Sequence, residues 1–222
     1  MQVRIQQPRI DDEGVPRFLH ISWLYAQDYC EYQLYLEHVK GISVDPTSAM
    51  VTGSREHQRL EEEFLAEAKL DLTFVEAVEA SRKTPISTRE LYVEDRDLKI
   101  CGYIDELLLE PDGFTVIDDK PVGVSGKVYP SSKHQVFGYC MALKNTFAHT
   151  EARRITAAVR ARGTDHIAWS QPFDTKAERT VLRLANRIHG LMAGDIPFKS
   201  STKAYKCRPC RFYDVCDRKM GG

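Results

Sequence analysis

The stretch Cys101-Gly102-Tyr103-Ile104-Asp105-Glu106-Leu107-Leu108-Leu109-Glu110-Pro111-Asp112-Gly113-Phe114-Thr115-Val116-Ile117-Asp118-Asp119-Lys120 decides how the rest of the chain is read. Two apolar runs flank Pro111-Asp112-Gly113. Proline presets φ, and aspartate and glycine suit the next turn positions, so the stretch is predicted to be a β-hairpin. Side chains on a strand alternate faces. Asp118 and Lys120 therefore share a face, Asp119 points the other way, and Asp105 comes beside the pair from the first strand. Two carboxylates and a lysine at one end of a hairpin can hold a divalent cation and assist attack on a phosphodiester. Charged residues at strand ends are ordinarily solvated, so the hairpin alone does not establish a site.

Working outward, the 222 residues suit one large domain or one domain with an appendage, with ordinary apolar and charged fractions. The net charge is −1, so no global field draws the chain to a polyanion. Local basic patches remain: Arg153, Arg154, Arg160 and Arg162 in one segment, and Lys199, Lys203, Lys206, Arg208, Arg211, Arg218 and Lys219 in another. No apolar run approaches the roughly 18 residues of a membrane span. Met1 to Pro8 lacks the apolar region of a signal peptide. A cytoplasmic protein with reduced thiols and no membrane partner is expected.

Six cysteines occur, at 30, 101, 140, 207, 210 and 216. The last three form Cys207-x2-Cys210-x5-Cys216, a spacing that suggests metal ligation rather than disulfides. A tetrahedral site or a cubane cluster wants four thiolates. Cys101, among apolar strand residues, and Cys140, after a helical tyrosine, fit the role of small buried hydrophobes. Cys30, in a polar and aromatic setting, is chosen as the fourth ligand. Spacing does not separate zinc from iron–sulfur, because thiolates suit both. Either centre would clasp the two ends of the chain across a long loop.

Residues 21–40 are predicted helical, with Gly41 as a stop, and residues 46–80 as one long helix interrupted near Gly53. Residues 87–94, 98–109 and 114–120 are read as antiparallel strands and 121–130 as a loop. A helix over 131–147, a strand over 154–161, an edge strand over 166–173 and an amphipathic helix over 174–193 follow. This order implies an α/β (α+β) mixed sheet flanked by helices.

Gln135 and Tyr139 lie four apart and share a helical face. His57, in Gly53-Ser54-Arg55-Glu56-His57, offers an imidazole that suits a transition metal beside carboxylates. Gly53-x-x-x-His57, Gly102-Tyr103-Ile104-Asp105, Asp118-x-Lys120, Gln135-x-x-x-Tyr139, Cys30 and the Cys207–Cys216 motif span nearly the whole chain. In that order they resemble the CRISPR-associated iron–sulfur nucleases, a RecB-like branch of the PD-(D/E)xK superfamily.

The resemblance implies a restriction-endonuclease-like core over residues 42–193. It also implies an iron–sulfur subdomain built from 20–41 and 194–222, with a [4Fe–4S] cluster on Cys30, Cys207, Cys210 and Cys216. Mn²⁺ or Mg²⁺ would be bound by His57, Asp105, Asp118 and the backbone of Asp119, with Lys120 orienting the attacking water and Gln135 and Tyr139 positioning the strand. Asp118 stands where most relatives carry glutamate, one methylene longer. The implied activity is exonucleolytic, on single-stranded DNA or overhangs, in trimming precursor spacers for the CRISPR integrase, and the family admits homo-oligomers. A RecB-like repair nuclease, a non-catalytic DNA-binding adaptor and a zinc-stabilised interaction module are the competing readings.

Overall fold

The computed structural model of the chain describes residues 1–7, 18–122, 126–147 and 153–221. The hairpin forms as the turn chemistry requires. Strand β5 (Ile100–Glu110) and strand β6 (Gly113–Lys120) pair antiparallel, with Glu110 opposite Gly113 across Pro111 and Asp112. It sits inside a six-stranded mixed sheet. One edge of β5 pairs antiparallel with β4 (Ile86–Asp95). Its other edge is shared: the short parallel strand β2 (Leu19–His20) takes Ile100 and Cys101, and β6 takes Glu106 onward. Strand β7 (Arg154–Ala161) runs parallel to β6, and β8 (Ile167–Pro172) closes the sheet antiparallel to β7.

The parallel step from β6 to β7 needs a crossover, supplied by helix α4 (Pro130–Phe147). Its residues from Gln135 to Leu143 are all buried, because α4 lies between the sheet and two further helices, α1 (Ser22–Leu34) and α5 (Thr175–Ala193). Ala177, Val181, Leu184, Ile188 and Leu191 form the inward stripe of α5, as the 3.6-residue period predicts. The mixed sheet flanked by helices is therefore as expected.

Two expectations need correction. The helix predicted over 46–80 is two helices, α2 (Ser48–Glu67) and α3 (Phe74–Ser81), and α2 runs unbroken through Gly53. Between them β3 (Asp71–Leu72) pairs with β1 (Arg4–Ile5), a contact too distant in sequence to be read locally. The restart is local, a reciprocal cap between Thr73 and Glu76. The predicted helix over 21–40 is broken at Cys30, whose backbone is extended (φ −167°, ψ 113°), and ends as a π-helical turn over Tyr35–Val39. The loop predicted over 121–130 is seen at its ends only, since residues 123–125 lie outside the described residues, and α4 begins at Pro130.

A second, smaller core lies apart from the main one. Tyr32, Leu36 and Phe212 are buried together, with Cys30, Ile42, Val44, Phe198, Cys210 and Cys216 packed around them. Segments from opposite ends of the chain thus share one apolar nucleus.

Candidate active site

The β5–β6 ladder stops at Glu106 and Ile117, and the strands part beyond it. The register carried one step further sets Asp105 across from Asp118. A backbone N–H left without a ladder partner must find another acceptor. Asp119 N–H finds Asp105 Oδ2, at 2.8 Å. The parting of the strands therefore both opens the site and fixes one of its carboxylates.

Asp118 is 1 % exposed, and neither of its carboxylate oxygens has a hydrogen-bond partner among the described residues. Lys120 Nζ lies 3.1 Å from Asp118 Oδ2, close enough for charge attraction but off the direction of a hydrogen bond. Burial first, and then the neighbouring Asp118 charge, push the Asp105 carboxyl up to about 7. Burial works against the Lys120 ammonium, but Asp118 and Asp105 outweigh it and hold its pKa above the ordinary lysine value. Asp118 with two vacant oxygens and Asp105 beside it, against one lysine, form the donor set a hard divalent cation takes.

His57 reaches this site from α2. Its Nε2 lies 3.7 Å from Asp105 Oδ2 and its Nδ1 3.9 Å from Glu90 Oε1. Contact with Glu90 raises its pKa, against the opposing effect of burial. His57, Glu90 and Asp105 bring one ligand atom each within 4.8 Å of one another, the one such group of three among the described residues.

Glu90 was not anticipated from the sequence. It stands across β4–β5 from Asp105, between the pairs Arg89–Glu106 and Leu91–Ile104. Its φ is +49°, the left-handed region that a glutamate rarely enters. Ile86 and Thr88 are buried before it and Leu91 and Val93 after it, so the inward alternation of β4 changes phase at Glu90. Backbone strain of this kind concentrates at functional sites. The lost alternation around Arg89-Glu90 was the one available signal.

Gln135 and Tyr139 meet the same site from α4. Gln135 Nε2 donates to the Tyr139 hydroxyl at 3.1 Å, and both are buried. Burial, then Asp118 and Asp105, push the Tyr139 phenol well above its usual value, so it is a neutral hydrogen-bonding group. Gly102 allows this approach: a Cβ there would stand 2.9 Å from Tyr139 Cε1.

Asp119 turns away, as strand alternation predicts. Its carboxylate is gripped by Arg160 (2.7 and 2.9 Å) and by Arg89 (3.1 Å), which also hold Glu106 at 2.7 and 2.9 Å. Only its backbone faces the site, and its carbonyl oxygen lies 3.4 Å from Arg162 Nη2. The basic segment 153–162 is thus mostly engaged within the fold. Arg153 donates to Ser81 and to the carbonyls of Glu110 and Val78, and Arg154 to Asp112.

Cys30, Cys207, Cys210 and Cys216 line one pocket beside the small core. Backbone N–H groups point at three of the sulfurs, from Ser201 to Cys30 (3.3 Å), from Phe212 to Cys210 and from Arg218 to Cys216. The surrounding basic residues largely hold the chain ends together. Lys206 donates to the carbonyls of Asp28 and Tyr29 at 3.1 Å, Arg211 pairs with Glu37, and Arg218 lies over the Tyr32 ring at 4.3 Å. Phe212 is a core residue, while Tyr205 is exposed. Cys140 is fully buried and Cys101 half-buried beside Tyr92, apart from this pocket.

None of the curated proteins matches the chain. Among solved structures, SSO0001 superposes with a TM-score of 0.52 at 16% identity, over 96% of this chain and 91% of that one. A provisionally named exonuclease from Eubacterium rectale superposes with a TM-score of 0.53 at 12% identity, over 97% and 96% of the two chains. At such identities these likenesses concern the fold. A sequence profile of the PD-(D/E)XK nuclease superfamily matches residues 49–217, which include His57, Asp105, Asp118, Lys120, Gln135 and Tyr139. The chain belongs to the PD-(D/E)XK nuclease superfamily.

Proposed function

We propose that the chain is a metal-dependent DNA exonuclease acting on single-stranded DNA or overhangs. The observation that carries the reading is the buried Asp118 carboxylate, whose two oxygens lack hydrogen bonds while Lys120 sits 3.1 Å away. A purely structural acid would be satisfied by donors. Asp105, Asp118, His57 and Glu90 would hold Mn²⁺ or Mg²⁺, which supplies Lewis acidity toward water and phosphate. Lys120, kept protonated by the two acids, orients the attacking water and faces the developing negative charge. Tyr139 and Gln135 donate from the α4 side and hold the strand in place. These intact groups argue against a vestigial, purely DNA-binding role.

The pocket of four cysteines supports a [4Fe–4S] cluster. The cluster reading rests on the motif set and on the one pocket that the four cysteines share. Backbone N–H groups aimed at sulfur are a known means of tuning such clusters. The motif set supports the further reading of a cytoplasmic enzyme that trims precursor spacers for the CRISPR integrase.

The test is cleavage of end-labelled single- and double-stranded DNA with Mn²⁺ by the wild type and Lys120→Ala. Loss of cleavage in a variant whose circular dichroism is unchanged supports the reading. Undiminished cleavage by a clean variant preparation refutes it.

A further inference from the structure

We infer that Arg162 is the residue that grips the substrate's phosphate, and that Gly53 is a glycine so that it can. The inference rests on the nuclease reading above and adds a residue to it.

Arg162 follows the last residue of β7 and is tied to the catalytic strand, its backbone N–H donating to Lys120 O at 3.0 Å. Its guanidinium lies against α2, over Gly53. A Cβ at Gly53 would stand 2.6 Å from Arg162 Nη1, 3.2 Å from Cζ and 3.3 Å from Nη2. Gly53 lies one helical turn before His57, so the two share a face of α2, and that face carries His57 to Asp105. The guanidinium thus lies over a position four residues, about 6 Å along the helix, from a metal-ligand candidate.

This arginine has little to do in the protein itself. Arg89 and Arg160 are bound to carboxylates on the other side of β6. Arg162 has no carboxylate within ion-pair distance among the described residues. Among the described residues its guanidinium makes one hydrogen bond, a long one to Asp119 O at 3.4 Å, and its buried Nε has no partner. A half-buried guanidinium with unused donors beside an acidic cation site suits a phosphodiester oxygen, which a planar fork binds bidentately. Lys120 is held beside Asp118 and serves the attacking water, which leaves the Arg162 guanidinium for another phosphate oxygen. A glycine in the interior of α2 costs helix stability relative to alanine, which implies that the space it leaves is used.

The experiment measures cleavage of single-stranded DNA, Mn²⁺ affinity and melting temperature for the wild type, Arg162→Ala, Arg162→Lys, Gly53→Ala and the Gly53→Ala/Arg162→Ala double variant. Arg162→Ala is expected to lower kcat/KM by about 100-fold, the size of losing one preorganised donor to a developing oxyanion. Mn²⁺ affinity and melting temperature should stay unchanged, and Arg162→Lys should recover part of the loss. Gly53→Ala should displace the guanidinium, lower kcat/KM without lowering the melting temperature, and add nothing in the double variant. Full activity in Arg162→Ala, or a loss matched by a fall in Mn²⁺ affinity or melting temperature, overturns the role of Arg162. Full activity in Gly53→Ala, or additive losses, overturns the role of Gly53. An inert wild type sinks the nuclease reading and this inference with it, whereas an active wild type with indifferent variants sinks this inference alone.

Discussion

The backbone N–H of Asp119 donates to Asp105 Oδ2 at 2.8 Å, so each residue depends on the strand that carries the other. Behind the sheet, Arg160 and Arg89 hold the Asp119 carboxylate. The residue adjoining Asp118 is thereby anchored on both sides of β6. Its side chain fixes the strand, and its main chain fixes Asp105.

Arg160→Met should therefore destabilise the protein by about 3 kcal/mol, because it leaves a buried carboxylate only partly paired. Arg4→Ala breaks an ion pair with Asp71 whose side chains are 46% and 57% exposed, and should cost under about 1 kcal/mol. Chemical denaturation of both variants checks the contrast. Equal, small losses would show that the rear network does not anchor β6.

Asp118→Asn should abolish cleavage and yet raise the stability of the metal-free protein by about 1–3 kcal/mol, since it removes a desolvated charge that has no hydrogen bond and repels Asp105, while Lys120 keeps Asp105 as its partner. Melting in the presence of a chelator reads the gain. A destabilised variant would mean that the carboxylate is satisfied without a cation.

The Asp105 carboxyl, pushed up to about 7 by burial and by Asp118, makes metal binding pH-dependent. Its folded-state pKa lies above the ordinary 3.8, so its contribution to stability without metal is full below about pH 4 and is lost as pH rises toward 7. A cation needs the carboxylate, so the stabilisation by Mn²⁺ should grow over the same range and level off above about pH 7. Melting curves with Mn²⁺ and with chelator, from about pH 5 to pH 8, follow both trends. A metal effect independent of pH would remove Asp105 from the ligand set.

Cys30→Ser should yield colourless protein where the wild type, purified without oxygen, is brown. It should also speed hydrogen exchange over 198–216, which shares the small core with Tyr32 and Leu36. Stoichiometric zinc without iron in the wild type would overturn the cluster.

What the sequence revealed and what it hid divide along sequence distance. The hairpin was legible because Pro111-Asp112-Gly113 is local turn chemistry. The shared face of Asp118 and Lys120 followed from a period of two. Asp119 was legible as the outward residue, but its engagement by Arg89 and Arg160 came from strands far apart in the chain. Glu90 was hidden because its place depends on a positive φ and on alignment with Asp105 across β4 and β5. The end of α2 was hidden by the pairing of Arg4–Ile5 with Asp71–Leu72, although the Thr73–Glu76 cap marked where the next helix begins.

Anomalous diffraction from crystals grown with Mn²⁺ tests the central claim most directly. The expected result is a peak within bonding distance of carboxylate oxygens of both Asp105 and Asp118, with Lys120 Nζ beside it. Mn²⁺ bound only elsewhere, with those two carboxylates left without it, would contradict the account.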